Sequence, residues 1–343
     1  MNSTLEVYPR LDHGYKLLDQ GQSQDALQIF RQALELYPES FSLQIAYNRA
    51  LRKIIPRWHF AMINDNERNA AFDCALQRAI HHNTHVLDIG SGSGLLGMMA
   101  ARAGAKSVIS CEIIEEIARL ADEIVHQNGY PQIKIIPKKS TELIVGIDME
   151  QKANLLVSEI VDSGLLGEGV IPSVLHARNH LLTPGAKIIP KAAKIFAMLI
   201  ESHDIASINQ VNYVAGFDVT HFNKVATKEY FSARLAQYPY RRLSDPVELY
   251  SFDFESDPLQ PETKEVGVIA TENGRCNLIS FWFLLNLYEG ITLSNCPENL
   301  KTHWPQAVQL WNTPLNIQRG QKLLVTTRHD CFSIFFESLK TSE

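Results

Sequence analysis

From residue 65 to residue 157 the chain alternates between apolar residues at helical spacing and short, continuous apolar runs. Helical spacing covers residues 65–80, 95–103 and 113–128. The apolar runs cover residues 86–89, 107–111, 133–136 and 153–157, and runs of that length predict buried strands. Helices that alternate with buried strands predict a parallel sheet of the α/β class, with ligands at the carboxyl ends of the strands.

Beyond residue 184 the pattern changes to strands alone. Strand-like segments at residues 187–190, 194–199, 265–270, 276–287, 323–328 and 331–336 are separated by turn residues. Residues 205–240 have a mixed pattern. The sequence therefore predicts a strand-rich second half after the α/β half.

Residues 7–38 carry a different rhythm, in which small and apolar residues recur at helical spacing. Gly21 interrupts the pattern, Pro38 stops it, and a further helix is predicted over residues 41–52. This spacing is similar to one and a half tetratricopeptide repeats, in which small residues let antiparallel helices pack closely. A peptide-binding or assembly module fits the pattern, and so does a plain helical hairpin that covers an apolar face.

The first predicted strand ends in Gly90, Gly92 and Gly94, directly ahead of a helix. Glycine takes positive φ and lets a ligand approach the backbone, and helix N-terminal amides would face that ligand. The spacing differs from the Gly-x-Gly-x-x-Gly of dinucleotide sites, so we expect S-adenosylmethionine. A dinucleotide and a ligand-free turn are the alternatives.

Other polar residues follow the neighbouring strands at the same edge of the predicted sheet. Glu112 closes the second strand and is placed to bind a ribose diol, and Ser140 and Thr141 follow the third, placed to meet an adenine edge. Arg68, in the first turn of the preceding helix, is within reach of a cofactor carboxylate. The predicted cofactor site comprises Arg68, Asp88, Gly90, Ser91, Gly92, Glu112, Ser140 and Thr141.

Composition narrows the class of protein. The net charge of −6, with 45% hydrophobic and 20% charged residues, is typical of a globular chain; it argues against nucleic acid as the main partner and suits a basic one. No apolar run reaches the ~20 residues of a membrane-spanning helix. The five scattered cysteines lack Cys-x-x-Cys spacing, which predicts reduced thiols, a cytoplasmic location and no metal site.

A pair of carboxylates follows the fourth predicted strand. Glu159 and Glu168 lie nine residues apart around a glycine-containing loop, which we call the double-glutamate loop (residues 159–168). Two carboxylates that face one space repel each other unless a cation lies between them, and a guanidinium has the planar donors to bind both. This predicts an arginine substrate attacking the sulfonium methyl of S-adenosylmethionine; two solvated glutamates are the alternative.

With these residues the chain resembles the protein arginine N-methyltransferases, and within that family most closely protein arginine N-methyltransferase 7, over residues 54 to about 340. The motifs that carry the resemblance are Trp58-His59-Phe60-Ala61-Met62 with Asp65 and Arg68, the run from Asp88 to Gly94, Glu112, the Glu159/Glu168 pair, and Thr302-His303-Trp304. The resemblance implies catalytic roles for Glu159 and Glu168, which also bind the substrate arginine.

The resemblance also implies roles that the residues alone do not. His59 would line the cofactor site, and His303 would pair with Asp65, orient it and relay a proton. Trp304 would contact substrate or pack beside the loop. Val161, Asp162 and Ser163 depart from the commonest family pattern, and an acidic Asp162 that narrows and charges the substrate pocket predicts monomethylation.

The resemblance completes the predicted architecture. A tetratricopeptide-like segment (residues 1–53) precedes a Rossmann-like S-adenosylmethionine-binding domain (54–188) and a β-barrel-like substrate domain (189–343), with a helical dimerisation arm at 205–240. We expect a homodimer that methylates basic, arginine-containing proteins or peptides and binds neither membranes nor, directly, nucleic acid. The alternatives are a small-molecule methyltransferase and a non-catalytic scaffold with a vestigial cofactor site.

Overall fold

The computed structural model of the chain describes residues 3–342, with the side chains of residues 7–342. Residues 1, 2 and 343 of the predicted terminal domains lie outside the described residues. Internal contacts divide the chain into two compact units, one up to Asn64 and the other from Asp65 onward. Across the described part of the chain, every helix is too short or too polar to span a bilayer.

The first unit is helical. Its helices are α1 (Ser3–Asp19), α2 (Ser23–Leu36), α3 (Phe41–Ile54) and α4 (Trp58–Ile63). A Cβ added to Gly14 would lie 2.2 Å from Cε1 of the fully buried Phe30, so glycine permits the close approach of α1 and α2. The predicted helical segment is therefore confirmed, whereas its tetratricopeptide identity stays a prediction.

The second unit begins with an α/β half. Its elements are α5 (Asn66–Ala79), β1 (His85–Ile89), α6 (Leu95–Arg102), β2 (Ser107–Cys111), α7 (Glu115–Gln127), β3 (Ile133–Ile136), β4 (Ala153–Ser158), α8 (Val170–His176) and β5 (Leu182–Ile189). The strands pair in parallel in the order β3-β2-β1-β4-β5. Because β1 and β4 are almost wholly buried, their sequences are continuous apolar runs. The predicted Rossmann-like sheet is confirmed.

The other half of this unit is mainly antiparallel. Its elements are β6 (Ala192–Glu201), α9 (His203–Ala206), β7 (Tyr213–Val214), β8 (Phe217–Asp218), β9 (Phe231–Ala233), β10 (Arg241–Arg242), β11 (Val247–Asp253), β12 (Glu262–Ile269), β13 (Gly274–Tyr288), β14 (Ile291–Ser294), β15 (Gln306–Ile317), β16 (Lys322–His329) and β17 (Ile334–Thr341). Seven strands form one sheet: five follow the order β10-β6-β13-β15-β9, while β11 pairs with β6 and β14 with β13. Strands β12-β16-β17 form another sheet. The strand-rich half is confirmed, and closure into a barrel stays a prediction.

The predicted helical arm at residues 205–240 requires a correction. The segment contains the end of the four-residue helix α9, the β7–β8 hairpin and two 3₁₀ helices, and most of it is non-helical. Asn209 bonds the backbone of Thr227, and Asn223 bonds that of Val211. Asparagine side chains that bond the backbone in this way compete with helix hydrogen bonds, which accounts for the difference.

Candidate active site

The glycine turn after β1 has the conformation that its sequence requires. Gly90, Gly92 and Gly94 have φ values of 86°, 53° and 76°, a region that other residues rarely adopt. A Cβ on Gly90 would lie 2.5 Å from Cγ2 of Ile160. The turn therefore needs glycine both for its backbone angles and for its closeness to the double-glutamate loop.

Glu112, at the end of β2, holds the turn in place. Its carboxylate accepts hydrogen bonds from the Gly92 amide at 3.1 Å and the Ile114 amide at 3.0 Å. Within the described chain, the buried Ser91 hydroxyl beside this carboxylate in the turn lacks a hydrogen-bond partner. A buried, unsatisfied hydroxyl in a glycine turn fits a ligand that supplies the missing partner. The predicted cofactor residues thus fit a nucleoside-containing ligand.

Asp88, also predicted to bind the cofactor, is 0% exposed. Its carboxylate accepts a 2.7 Å hydrogen bond from the Ser110 hydroxyl, and burial raises its pKa to about 6. The side chain lies on the face of the sheet that α6 covers, where a Cβ on Gly97 would be 3.5 Å from its Oδ2. This burial gives the predicted direct contact with the cofactor no support, and the contact stays a prediction.

The other predicted cofactor residues lie in two places. Ser140 and Thr141 begin a 3₁₀ helix after β3, at the sheet edge that also carries Glu112. His59 belongs to the first unit, where its Nδ1 lies 2.8 Å from the Pro56 carbonyl and its ring stacks on Trp58. Their contacts with a cofactor stay predictions.

Arg68 and Glu159 form a buried ion pair. Arg68 Nε lies 3.2 Å from Glu159 Oε2, and Nη2 donates to the same oxygen. Arg68 Nη1 also donates to Asn69 Oδ1 at 2.8 Å. Sequence reasoning placed Arg68 on the cofactor and Glu159 on the substrate. The structure instead joins them, and it shows that Glu159 receives a guanidinium.

Glu168 carries an unusual charge environment. The residue is exposed to solvent, yet its pKa is raised to about 8. The main cause is desolvation of the carboxyl group by the surrounding protein, followed by the charges of Glu159, Asp162 and Glu112. Glu159 is thus near enough for its charge to act on Glu168. That the two carboxylates face one substrate space stays a prediction.

Asp65 and His303 are paired, as the resemblance implied. His303 donates to Asp65 Oδ2 from its backbone amide at 2.7 Å, and its Nδ1 lies 2.9 Å from the same oxygen. Asp65 Oδ1 caps α5 by accepting from the Arg68 amide. Burial opposes ionisation of Asp65, but the hydrogen bonds from His303 and Arg68 lower its pKa to about 2.

Residues distant in sequence support the double-glutamate loop. Trp304 Nε1 donates to the Val161 carbonyl at 2.9 Å, and Asn295 Nδ2 donates to the Ser163 carbonyl at 3.1 Å. Trp304 is only 4% exposed and packs edge-on against Phe283. This geometry supports the packing role for Trp304 and gives its predicted substrate contact no support.

Tyr230, like Asn295, supports the loop and escaped sequence reasoning. Tyr230 donates to Asp162 Oδ2 at 2.6 Å, while Asp162 Oδ1 accepts from the Gly167 amide at 2.9 Å. Asp162 is thus held by the loop and by a tyrosine 68 residues away. The only signal in the sequence was the pair of small residues, Gly164 and Gly167, between the glutamates.

Comparisons with known proteins agree with this geometry. The family model for the arginine methyltransferase oligomerization subdomain matches residues 191–333, and the model for ribosomal protein L11 methyltransferase matches residues 74–189. An arginine N(omega)-methyltransferase of Streptomyces achromogenes is 43% identical over 292 residues, covering 84% of this chain and 81% of the relative.

The chain belongs to the protein arginine N-methyltransferase family. Protein arginine N-methyltransferase 7 of Drosophila willistoni is 31% identical over 321 residues, covering 81% of this chain and 47% of the relative. Human protein arginine N-methyltransferase 9 is 31% identical over 330 residues, covering 86% of this chain and 39% of the relative. The chain thus spans about half the length or less of these longer relatives.

Solved structures agree with the assignment to this family. The Trypanosoma brucei PRMT1 enzyme–prozyme heterotetrameric complex with AdoHcy matches with a TM-score of 0.70 and 25% identity, over 84% of this chain and 98% of that chain. Arabidopsis thaliana protein arginine methyltransferase 10 has the same fold, with a TM-score of 0.63 over 82% of this chain and 96% of that chain. The protein is an arginine methyltransferase whose cofactor is S-adenosylmethionine.

Proposed function

We propose that this enzyme transfers one methyl group to a guanidino nitrogen of arginine in basic protein substrates. The observation that carries the proposal is the Glu159 carboxylate, which is buried and already binds the guanidinium of Arg68. Asp162 adds negative charge to the same site, and Glu168 adds a further charge once it is ionised. A pocket with this charge attracts a cation, and a planar guanidinium bonds carboxylates with two parallel donors.

The cofactor would lie on the glycine turn. The cofactor would lie against the backbone of Gly90, Ser91 and Gly92. Glu112 would bind its ribose, and Arg68 would bind its methionine carboxylate. When bound, S-adenosylmethionine would supply an electrophilic sulfonium methyl, and breaking of its S–CH3 bond as the new N–CH3 bond forms would leave S-adenosylhomocysteine. Since Arg68 also bonds Glu159, the residue that orients the cofactor touches the residue that orients the acceptor.

The acceptor guanidinium would lie between Glu159 and Glu168. Its positive charge favours the ionised form of Glu168, so that group releases its proton when substrate binds. Two carboxylates then draw positive charge toward the nitrogens they contact and leave electron density on the nitrogen that attacks. Alignment of this kind accounts for roughly 7–11 kcal/mol of barrier reduction in well-oriented reactions.

Methylation of a guanidinium nitrogen releases one proton, and we assign its removal to His303. His303 is held by Asp65 through two contacts to one carboxylate oxygen. That oxygen is fixed because Asp65 also caps α5. Asp65 therefore fixes the orientation of the imidazole ring.

Free arginine is a second candidate acceptor. The 43% identical relative, which matches over most of both chains, is named an arginine rather than a protein arginine methyltransferase. A free amino acid would need groups that bind its own carboxylate and ammonium, whereas a peptide would need an open groove. Both acceptors present the same guanidinium to Glu159 and Glu168.

Labelled methyl transfer distinguishes the two acceptors. The purified chain is incubated with labelled S-adenosylmethionine and, separately, an arginine-rich peptide, its lysine counterpart and free L-arginine. Label in the arginine peptide alone supports the proposal, and label in free arginine alone supports the second candidate. Mass spectrometry of the product then counts methyl groups, and a second methyl on one side chain contradicts monomethylation.

We further propose a homodimer formed through residues 205–230. Large apolar side chains of this segment are exposed, including Tyr213 (74%), Phe217 (72%) and Phe222 (70%). Such a patch is unusual on a monomer surface and marks an interface. The matching family model is also named for oligomerization.

Free thiols at all five cysteines suit the cytoplasmic location that we also propose.

Light scattering tests the dimer. The mass of the wild-type protein is compared with that of a Phe217→Ser/Phe222→Ser variant over a range of concentrations. A dimer that dissociates on this change supports the proposal. A wild-type protein that stays monomeric at every concentration contradicts it, and Phe332→Ser, an exposed phenylalanine outside the segment, is the control.

A further inference from the structure

The double-glutamate loop contains a residue in a strained conformation. Leu165, fully buried, has a φ of 78°, in the left-handed region that a branched side chain rarely adopts. Its amide donates to the Asp162 carbonyl at 3.0 Å, which closes a tight turn ahead of Glu168. A strained backbone persists only where surrounding contacts determine it. The contacts around this turn therefore decide where Glu168 lies.

Tyr230 supplies the central contact. Its hydroxyl donates to Asp162 Oδ2, and the other oxygen of Asp162 accepts from the Gly167 amide, next to Glu168. The ring lies against the loop backbone, because a Cβ on Gly164 would be 2.5 Å from Tyr230 Cζ. Burial and the Asp162 charge raise the pKa of Tyr230, so its hydroxyl keeps the proton that it donates.

The residues after Tyr230 are held mainly by contacts outside the loop, and one of them, Ser232, also lies 2.7 Å from the loop residue Ser163 through their hydroxyl oxygens. Tyr230 directly precedes β9, which pairs with β15, and the ring packs edge-on against the buried Phe281. Further along, the Arg234 guanidinium donates to the carbonyls of Thr302 and His303. The tyrosine is thus anchored to the sheet and to the His303 loop, and the turn must adapt to it.

We propose that Tyr230 is a positioning residue for methyl transfer, which holds the strained turn through Asp162 so that Glu168 faces Glu159. Tyr230 contacts neither acceptor nor cofactor in this scheme and acts only through the loop. The proposal rests on the arginine methyltransferase function, since it gives Tyr230 a purpose in that reaction. It also explains why both glycines of the loop are required, as their missing side chains leave room for the ring and for Asp162.

The test uses Tyr230→Phe, which keeps the ring and removes the hydroxyl. We expect kcat/KM to fall about 10- to 150-fold, the effect of losing one hydrogen bond to a charged group. The acidic limb of the pH profile should also move to lower pH. Without the bond from Tyr230, Glu168 moves away from the charges of Glu159, Asp162 and Glu112, and its pKa falls. Tyr288→Phe, whose hydroxyl bonds Lys187 and not the loop, is the matched control and should leave both unchanged.

Two outcomes would overturn the proposal. One is a Tyr230→Phe variant with the kcat/KM and pH profile of the wild type. The other is a loss of activity that equals the fraction of the variant unable to bind cofactor, together with an acidic limb of the pH profile that stays where it is in the wild type. That result would mean that Tyr230 contributes only to stability. Combining Tyr230→Phe with Asp162→Asn adds a further check: a shared bond predicts a double variant no worse than the poorer single variant, and multiplied losses contradict it.

Hydrogen–deuterium exchange separates this proposal from the function itself. Amides of residues 162–169 should exchange faster in Tyr230→Phe than in the wild type or in Tyr288→Phe, whether or not an acceptor is known. Unchanged exchange rejects the positioning role even if the wild type methylates arginine. Faster exchange supports that role for the loop, and failure of the wild type to methylate any arginine then rejects only the proposed function.

Discussion

The glycine turn and the double-glutamate loop lie side by side, yet they are held by very different contacts. The turn is closed by Cys111 and Glu112, about twenty residues along the chain from its glycines. The loop is held by residues 91, 68, 132 and 143 positions from their partners: Arg68, Tyr230, Asn295 and Trp304. A nucleoside site can thus be encoded locally, whereas the acceptor site exists only once most of the second unit has folded.

The two sites also differ in charge. In the turn, both oxygens of Glu112 accept backbone amides, so this carboxylate is held in place before any ligand arrives, and each oxygen can still accept a further hydrogen bond. In the loop, Glu168 faces other carboxylates, and its pKa is raised to about 8. The turn is therefore preorganised, and the loop reaches its working charge only with a cation in place.

Glu159→Gln should produce the largest difference between the two sites, because it should abolish methyl transfer and leave cofactor binding intact. The amide keeps the shape but removes the charge that binds a guanidinium, so we expect methyl transfer to fall by about a thousandfold or more. Cofactor affinity, measured by calorimetry, should stay near the wild-type value. Glu123→Gln, at an exposed glutamate paired with Arg119 on α7, is the control. Near-normal activity in Glu159→Gln would remove the carboxylate pair from the mechanism.

Arg68→Ala tests the residue that belongs to both sites. Loss of a charged hydrogen bond to the cofactor carboxylate should weaken binding of S-adenosylmethionine about 10- to 150-fold. Calorimetry measures this directly, with Arg102→Ala, an exposed arginine paired with Asp73, as the control. Unchanged cofactor affinity would mean that Arg68 serves only the acceptor side, through Glu159.

The pH dependence of kcat/KM tests the charge difference. Because the pKa of Glu168 is raised, the group gains its proton as the pH falls through about 8 and then binds guanidinium poorly. We expect kcat/KM to fall about tenfold per pH unit below that value and to level off above it. Glu168→Gln should abolish this limb. A wild-type profile that stays flat through neutral pH is the contrary result.

Trp304→Phe should have the smallest effect. It removes one neutral hydrogen bond to the Val161 carbonyl, with a cost of about 0.5–1.5 kcal/mol in free energy of unfolding and a few-fold loss of kcat/KM. Thermal unfolding and steady-state kinetics measure the two. Trp311→Phe removes a buried indole elsewhere in the same half and serves as the control. A loss as large as that of Glu159→Gln would indicate direct substrate contact by Trp304.

The sequence predicted best what is encoded locally. The four parallel strands expected over residues 86–157 and the positive-φ glycines both follow from patterns within a few residues, and each is present. The Arg68–Glu159 pair and the Tyr230 contact were missed because nothing in a sequence brings residues so far apart together. The helical arm was expected from the family resemblance alone, and the asparagine–backbone bonds of this segment leave no periodic signal that could have corrected it.

The ion pair between Arg68 and Glu159 predicts which arginine analogues the enzyme should fail to bind. The side chain of citrulline has the length and planarity of that of arginine but carries no charge. It therefore cannot match the charge attraction that Glu159 already has with Arg68. It would also leave Glu168 protonated beside its acidic neighbours. An excess of citrulline should therefore fail to inhibit the reaction, whereas a charged guanidine of the same size should compete.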